Sequence, residues 1–334
     1  MPHVTIGRSA DLLVVAPATA DLLARAAYGL ADDLLTATLL TVRCPVLYAP
    51  AMHTEMWEHP ATRANVATLR ARGAIVAEPG VGRLTGADSG RGRLPEPAEL
   101  FALCSQLLAG RGTPDLLGRR VVVSAGGTRE ALDPVRFLGN RSSGRQGYAL
   151  ARTAVARGAE VTLVAANVTL PDPAGVTVVP VVSAADLHEA MLAAAAGADA
   201  VVMAAAVADF RPADYVTAKI KKGGAEPPRI RLVRTADVLT DLVSRRPAGQ
   251  VLVGFAAETG DDAGSVLHHG RAKLAAKGCD LLVVNEVGPA VGFESGDNSA
   301  VILGADGASV DVPHGPKEAL AGVVWDLVAA RLPG

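Results

Sequence analysis

Runs such as RRVVVSAG (119–126), AEVTLVAAN (159–167), ADAVVMAAA (198–206), QVLVGFAAE (250–258) and CDLLVVNEV (279–287) are apolar at nearly every position, not at every second one. A strand that is apolar on both faces is the mark of a parallel sheet covered by helices on both sides. Stretches with helical spacing lie between them, at 143–158, 184–196, 236–244 and 262–277. The same alternation opens the chain: DLLVVAPA (11–18), a helical run over 20–35, CPVLYAPAM (44–52), a helical run over 59–73, AIVAEPG (74–80) and a helix over 96–110. The pattern predicts two tandem doubly wound α/β units, residues 1–108 and 119–334, joined by a Gly/Pro-bearing linker over 109–118. The second unit closes with a hairpin over 299–312, turning at Asp306-Gly307, and an amphipathic helix from Lys317. The first is short, with only three strands before the linker.

With 334 residues, half of them hydrophobic, the chain can build two proper cores. A net charge of −2 provides no basic field for nucleic acid, and 3% aromatic content leaves little surface for base stacking. The three cysteines, Cys44, Cys104 and Cys279, have no metal-ligand spacing and fit a reducing compartment. Cys104, in FALCSQLL, reads as helix core. No apolar run is long enough to span a bilayer, and MPHVTIGRSAD has no apolar signal core. The expectation is a soluble cytoplasmic protein with neither a nucleic-acid nor a membrane partner.

In open α/β sheets, ligands bind beyond the carboxyl ends of the strands. There the chain carries AGGTREALDPVRFLGNRSSGRQG (125–147). Gly126 and Gly127 allow backbone amides to approach a phosphate, and a helix start at SSGRQG suits an anion. The same residues also read as two ordinary turns and a helix cap. Asp209 ends another apolar run, with KIKK (219–222) ten residues further on. A carboxylate and a lysine there could hold a metal–phosphate group; read alone, KIKK is more often a solvated loop. Phe255 and Glu258 end a third run, and Lys273 and Lys277 share a helix face. All these clusters fall at strand ends of one predicted sheet.

Four segments together, namely 125–147, AAAVADFRP…AKIKK, VGFAAET and AKLAAKGCDLLVVNEV…GFESGDN, resemble phosphopantothenate–cysteine ligase, over about 119–330. The resemblance implies a Rossmann-like ligase domain that activates the carboxylate of 4′-phosphopantothenate with CTP and Mg²⁺. Pyrophosphate leaves, the amine of L-cysteine attacks the acyl-cytidylate, and CMP departs. It implies that Asn140 holds the acyl-cytidylate, that Lys219 acts on the nucleotide phosphate, and that Arg136 contacts phosphopantothenate. Gly126, Gly127, Asp209, Phe255, Lys273, Lys277 and the segment Ala236, Asp237, Val238, Leu239 match nucleotide-binding positions, although the family often has proline where Ala236 stands. No metal ligand is assigned. The preference for cytosine rests on the resemblance alone.

Residues 3–97 resemble the flavin-dependent phosphopantothenoylcysteine decarboxylase, through DLLVVAPATADLLARAAYGLADDLLTATLL, APAM and MWEHPATRANV. That implies a flavodoxin-like unit binding FMN through Ala18, Thr19 and Met52. His3 falls where the family has its catalytic histidine; its alternative is a frayed terminal residue. His53 replaces the asparagine of the family's PAMN, which handles the substrate carboxylate, and histidine retains a hydrogen-bond donor. The family's later loop often carries a proton-donating cysteine; here Gly86, beside Thr85, stands at that position. The family's first strand and its flavin phosphate loop have no counterpart. The expectation is therefore a partial flavoprotein unit, some tens of residues missing upstream, and weak or absent flavin binding as the chain stands. Apolar surface is expected over Leu22–Leu40.

A nicotinamide-dependent reductase on the 125–147 loop is the competing reading. It lacks GxGxxG, and the second strand ends in Asn167 instead of an acid. The family resemblance further implies a homo-oligomer, with a dimeric ligase and larger assemblies through the flavoprotein half. The 210–228 loop is expected to close over the intermediate.

Overall fold

A computed structural model describes residues 1–84, 88–108, 115–221, 229–258, 265–286 and 297–333. The chain forms two units, Met1–Leu117 with Val155–Ala159 and Pro173–Gly175, and Gly118–Ala154 with Glu160–Asp172 and Val176–Gly334. Among the described residues no helix is long and apolar enough to cross a membrane.

The first unit contains α1 (Pro2–Ser9), β1 (Leu13–Ala18), α2 (Ala20–Tyr28), α3 (Leu34–Leu39), β2 (Val46–Pro50), α4 (Thr54–Glu58), α5 (Pro60–Ala71), β3 (Ile75–Val76), β4 (Gly80–Arg83), β5 (Ser89–Arg93) and α6 (Pro97–Leu108). β1, β2 and β3 form a parallel sheet in that order. Val15, Leu23, Tyr48, Trp57, Val66 and Leu69 make the core that α2 and α5 close. Cys104 packs in α6 against Leu47, Ile75, Ala77 and Leu107, as its setting predicts.

Several expectations for this unit change. The predicted helix over 20–35 is two helices. Gly29, with φ of 70°, ends α2 in the left-handed conformation, and Asp33 starts α3 through a capping box with Thr36. The strand expected over 74–80 shrinks to Ile75–Val76, and Gly80–Arg83 instead pairs antiparallel with Ser89–Arg93. His3 is not a frayed residue. It lies in α1, and its carbonyl accepts the Thr41 hydroxyl at 3.0 Å. Apolar surface over 22–40 is present, since Tyr28, Leu30, Leu34 and Leu40 are all more than half exposed. The described part of the predicted linker, 115–118, includes Leu116, which is fully buried.

The second unit contains β6 (Arg120–Gly126), β7 (Arg129–Ala131), β8 (Phe137–Gly139), α7 (Arg145–Ala156), β9 (Glu160–Ala166), β10 (Val176–Val181), α8 (Ala184–Ala195), β11 (Ala200–Met203), β12 (Phe210–Pro212), β13 (Leu232–Arg234), α9 (Val238–Arg245), β14 (Val251–Glu258), α10 (Val266–Lys277), β15 (Leu281–Glu286), β16 (Asp297–Gly304), β17 (Ser309–Pro316) and α11 (Lys317–Ala329). Among the described residues the main sheet has the order β10-β9-β6-β11-β14-β15-β16-β17. It is parallel from β10 to β15; β16 and β17 form the predicted antiparallel hairpin, turning at Gly307 with φ of 86°. β6 is buried at every position after Arg120, and β11 along its whole length. That is why both read as unbroken apolar runs. On one face Leu187 and Met191 of α8, Leu242 of α9 and Leu274 of α10 pack on Val122, Val164, Val201 and Leu252. Each fully buried side chain of this kind contributes about 1.5–3 kcal/mol. Trp325 of α11 is fully buried, and its indole N–H donates to the Leu150 carbonyl of α7 at 2.9 Å. Two antiparallel ribbons, β7–β8 and β12–β13, stand apart from the main sheet.

Candidate active site

The chain leaves β6 toward β9 and β10 on one side and returns to β11 on the other, so strand order reverses between β6 and β11. A crevice opens beyond the carboxyl ends at such a switch point. Gly127 bridges Ala206 there. The Ala206 amide donates to Gly126 O at 2.8 Å and the Thr128 amide to Ala206 O at 3.2 Å. The buried hydroxyls add two more ties: Ser124 Oγ accepts the Ala205 amide at 3.0 Å, and Thr128 Oγ1 accepts the Ala208 amide at 2.9 Å. The ends of β6 and β11 are thus one backbone-locked floor.

The two predicted glycines are required by the protein's own backbone. Gly126 has φ of 84°, and a Cβ there would lie 2.0 Å from the Ala166 carbonyl oxygen. A Cβ on Gly127 would lie 2.5 Å from the Asn140 carbonyl oxygen. That contact brings Asn140, carried in by the β7–β8 ribbon, directly over the glycine turn. Asn140 Nδ2 donates to Val207 O at 2.9 Å, which orients the amide. Glu130 of β7 is buried and accepts the Ala184 amide at the start of α8, at 2.8 Å. Arg129 stacks over Phe137 at 4.7 Å.

Arg136 and KIKK come together. Arg136 Nη2 donates to Ile220 O at 3.0 Å, and Asp133 Oδ2 accepts the Ile220 amide at 3.1 Å. Lys219 is the exposed neighbour of this fixed peptide. Lys222, and with it the stretch 222–228 of the loop expected to close, lies outside the described residues.

The other predicted nucleotide residues gather on the β11–β14 side. The Thr235 hydroxyl donates to Ala208 O at 2.6 Å and its amide to Asp209 O at 3.0 Å. Asp209 is therefore beside the segment 236–239. Asp237 caps α9 by accepting the Thr240 amide at 3.1 Å, and it is ion-paired with Lys277. Burial works against charge on Asp237, but the Lys277 ammonium and the Thr240 amide outweigh it and hold the carboxyl below its ordinary range. A Cβ on Gly254 would meet the Leu239 side chain at 2.8 Å, so β14 runs hard against this segment. Phe255 follows on β14, half-buried, and Lys273 is one turn before Lys277 on α10. Among the described residues no three His, Cys, Asp or Glu side chains cluster to hold a metal. Ser124, Thr128, Glu130, Asp133 and Thr235 were not singled out from the sequence. The signal for three of them, Thr128, Glu130 and Asp133, lay inside the quoted AGGTREALD.

In the first unit Ala18, Thr19 and Met52 meet at the ends of β1 and β2. The Ala51 amide donates to Ala18 O at 3.1 Å, and Thr19 caps α2 by accepting the Leu22 amide at 3.2 Å. The β4–β5 hairpin covers the loop after β2: the Met52 amide donates to Gly92 O at 2.9 Å, and a Cβ on Gly92 would lie 2.0 Å from Met52 O. His53 opens α4, with Nδ1 4.0 Å from the Asp88 carboxylate. Thr54 Oγ1 and Trp57 Nε1 are buried without a hydrogen-bond partner. Thr85 and Gly86 lie outside the described residues.

The DNA/pantothenate metabolism flavoprotein C-terminal domain model matches residues 116–332, and the flavoprotein model matches residues 1–109. A coenzyme A biosynthesis bifunctional protein CoaBC of Mycobacterium tuberculosis is 60% identical over 342 residues, covering 100% of this chain and 82% of that protein. The chain belongs to the bifunctional CoaBC family of coenzyme A biosynthesis. A CoaBC of Bacillus subtilis is 43% identical over 315 residues, covering 93% of this chain and 76% of its own length. The crystal structure of the C-terminal domain of a CoaBC superposes with a TM-score of 0.55 at 34% identity, covering 65% of this chain and 97% of that one. CoaBC proteins join a ligase to a decarboxylase, so the chain is an enzyme with a flavoprotein domain and a ligase domain. Residues 1–109, expected to form only part of a flavoprotein unit, match the flavoprotein model, so a flavoprotein domain is present in this chain.

Proposed function

We propose that the second unit joins 4′-phosphopantothenate to L-cysteine with CTP, through an acyl-cytidylate, in the β6–β11–β14 crevice. The observation that carries this reading is the convergence of Asn140 and the Asp209, Asp237 and Lys277 group on one switch point, linked by Thr128, Ala208 and Thr235. The chemistry follows from the side chains. A carboxylate oxygen of phosphopantothenate attacks the α-phosphorus of CTP and pyrophosphate leaves. Lys219 neutralises charge that grows on the phosphoryl oxygens. Asn140 has a second amide hydrogen beyond the one given to Val207, and it donates to the acyl oxygen when the cysteine amine attacks and CMP leaves. Gly126, Gly127, Asp209, Ala236, Asp237, Val238, Leu239, Phe255, Lys273 and Lys277 surround the nucleotide, and Arg136 faces the phosphopantothenate. The Asp209 carboxylate would help hold a nucleotide-bound Mg²⁺, an ion that needs only one or two carboxylates beside phosphate oxygens.

The first unit decarboxylates phosphopantothenoylcysteine on this reading. Ala18, Thr19 and Met52 would hold FMN at the β1 and β2 ends, and FMN supplies the redox chemistry. The fit is supported by two unpartnered buried polar atoms, Thr54 Oγ1 and Trp57 Nε1, in the segment that follows Met52. His3 and His53 offer ring nitrogens to the substrate. We further propose a homo-oligomer with a dimeric ligase unit, testable by light scattering.

The test is a product mass. Protein with 4′-phosphopantothenate, CTP, Mg²⁺ and cysteine should yield phosphopantothenoylcysteine, and with FMN added, 4′-phosphopantetheine. No amide product would overturn the ligase reading. Amide that is never decarboxylated in the presence of FMN would overturn the second.

A further inference from the structure

Asp133 is among the most buried charged residues of the second unit, at 2% exposure, yet it belongs to no ligand-facing group named above. Its Oδ1 accepts the amides of Val135 and Arg136, each at 2.8 Å. Its Oδ2 reaches across 87 residues to the Ile220 amide at 3.1 Å. Arg136 completes the arrangement: Nη1 is 3.5 Å from Asp133 Oδ2, and Nη2 donates to Ile220 O at 3.0 Å. Both main-chain hydrogen-bonding groups of one residue, the N–H and C=O of Ile220, are therefore held by one acid–base pair. Four residues earlier the Val216 amide donates to Leu132 O at 3.1 Å, so the strap is tied down at two points along 216–220.

We propose that Asp133 is a positioning residue for the ligase reaction: it holds the Ile220 peptide, and through it sets where Lys219 presents its ammonium. A lysine on an exposed loop is a flexible point charge. It serves a developing phosphoryl charge only if its backbone is already fixed, because preorganised donors cost no reorganisation at the moment of reaction. The remaining contacts of Asp133 agree. Burial opposes its charge, but the Val135, Ile220 and Arg136 amides and the Arg136 guanidinium outweigh burial and keep the carboxyl ionised below its ordinary range. An asparagine there would turn an N–H toward the Ile220 N–H or lose the two amides of the turn, since a single amide oxygen cannot serve both sides.

The inference rests on the ligase reading of Lys219, and a double-mutant cycle separates the two. With saturating CTP, phosphopantothenate and cysteine, Asp133→Asn should lower kcat on the order of 10²-fold, the scale of a small misplacement of a catalytic group, with KM for CTP changed by less than about threefold. Asp133→Asn combined with Lys219→Gln should be no slower than Lys219→Gln alone, because both remove the same interaction. If Lys219→Gln itself has normal kcat, the role given to Lys219 fails. If Lys219→Gln is slow and the two effects multiply, the positioning role of Asp133 fails. Should Asp133→Asn not fold, amide hydrogen exchange of the unaltered enzyme decides. The Ile220 amide, on an otherwise exposed strap, should be protected at least about 10²-fold over free peptide, and exchange at the free-peptide rate would overturn the clamp.

Discussion

The Asn140 side chain donates to the main-chain carbonyl of Val207 at 2.9 Å, tying the loop after β8 to the segment after β11 across the mouth of the crevice. One hydrogen of the amide is thereby spent on orientation, and the other remains for a ligand.

Asn140→Asp places a carboxylate against the Val207 carbonyl, acceptor against acceptor, and removes the donor to the acyl oxygen. Product formation should fall by about 10²–10³-fold, the cost of losing one transition-state donor. CTP affinity measured by calorimetry should stay within a few-fold. Unchanged turnover would remove Asn140 from the site.

Lys219→Gln should leave the circular dichroism spectrum unchanged, because Lys219 is exposed. Pyrophosphate release should slow by about 10²-fold or more, as expected for loss of a phosphoryl-stabilising charge. A near-normal rate would reduce KIKK to a solvated strap.

Gly126→Ala demands a side chain at φ of 84° with its Cβ 2.0 Å from Ala166 O. The second unit should lose at least about 2 kcal/mol from the strained conformation and the clash. The protein has two tryptophans, Trp57 in the first unit and Trp325 in the second. Urea titration of a Trp57→Phe background, read through Trp325, therefore reports this unit. No shift in its midpoint would mean that the turn relaxes freely.

Asp33 caps α3, and the Thr36 amide, with help from Arg25, lowers its carboxyl from the ordinary 3.8 to about 2. A depressed carboxylate stabilises the fold above the unfolded-state value and loses that contribution as pH falls through the folded one. The helix start should therefore hold at pH 4 and weaken only as pH falls toward 2. Carbon-detected NMR titration of Asp33 should give a midpoint near 2; a midpoint near 3.8 would mean that the cap does not form.

The sheet of the second unit was legible because burial on both faces leaves its mark on every residue of a strand. Val121 to Gly126 are all buried, and that stretch had read as a parallel strand. The start of α8 was equally legible, since Ser183 and Asp186 form a local capping box. Ribbons such as Gly80–Arg83 with Ser89–Arg93 were not, because glycine- and arginine-rich strands carry no hydrophobic period. The split between α2 and α3 was hidden by apolar residues such as Leu30 and Leu34, which continue a helical pattern while lying exposed.

At the site, the residue types were in the sequence but their jobs were not. By itself the sequence determined two alternating α/β units, the strand ends where chemistry could sit, and the motifs that carry the family. Only the tertiary structure decided that Gly126 and Gly127 are demanded by Ala166 and Asn140, that Lys277 pairs with Asp237, and that Asp133 holds Ile220. Periodicity and caps are local, so they are written along the chain. A hydrogen bond that joins residues 87 positions apart depends on strand order and register, which no short stretch of sequence encodes.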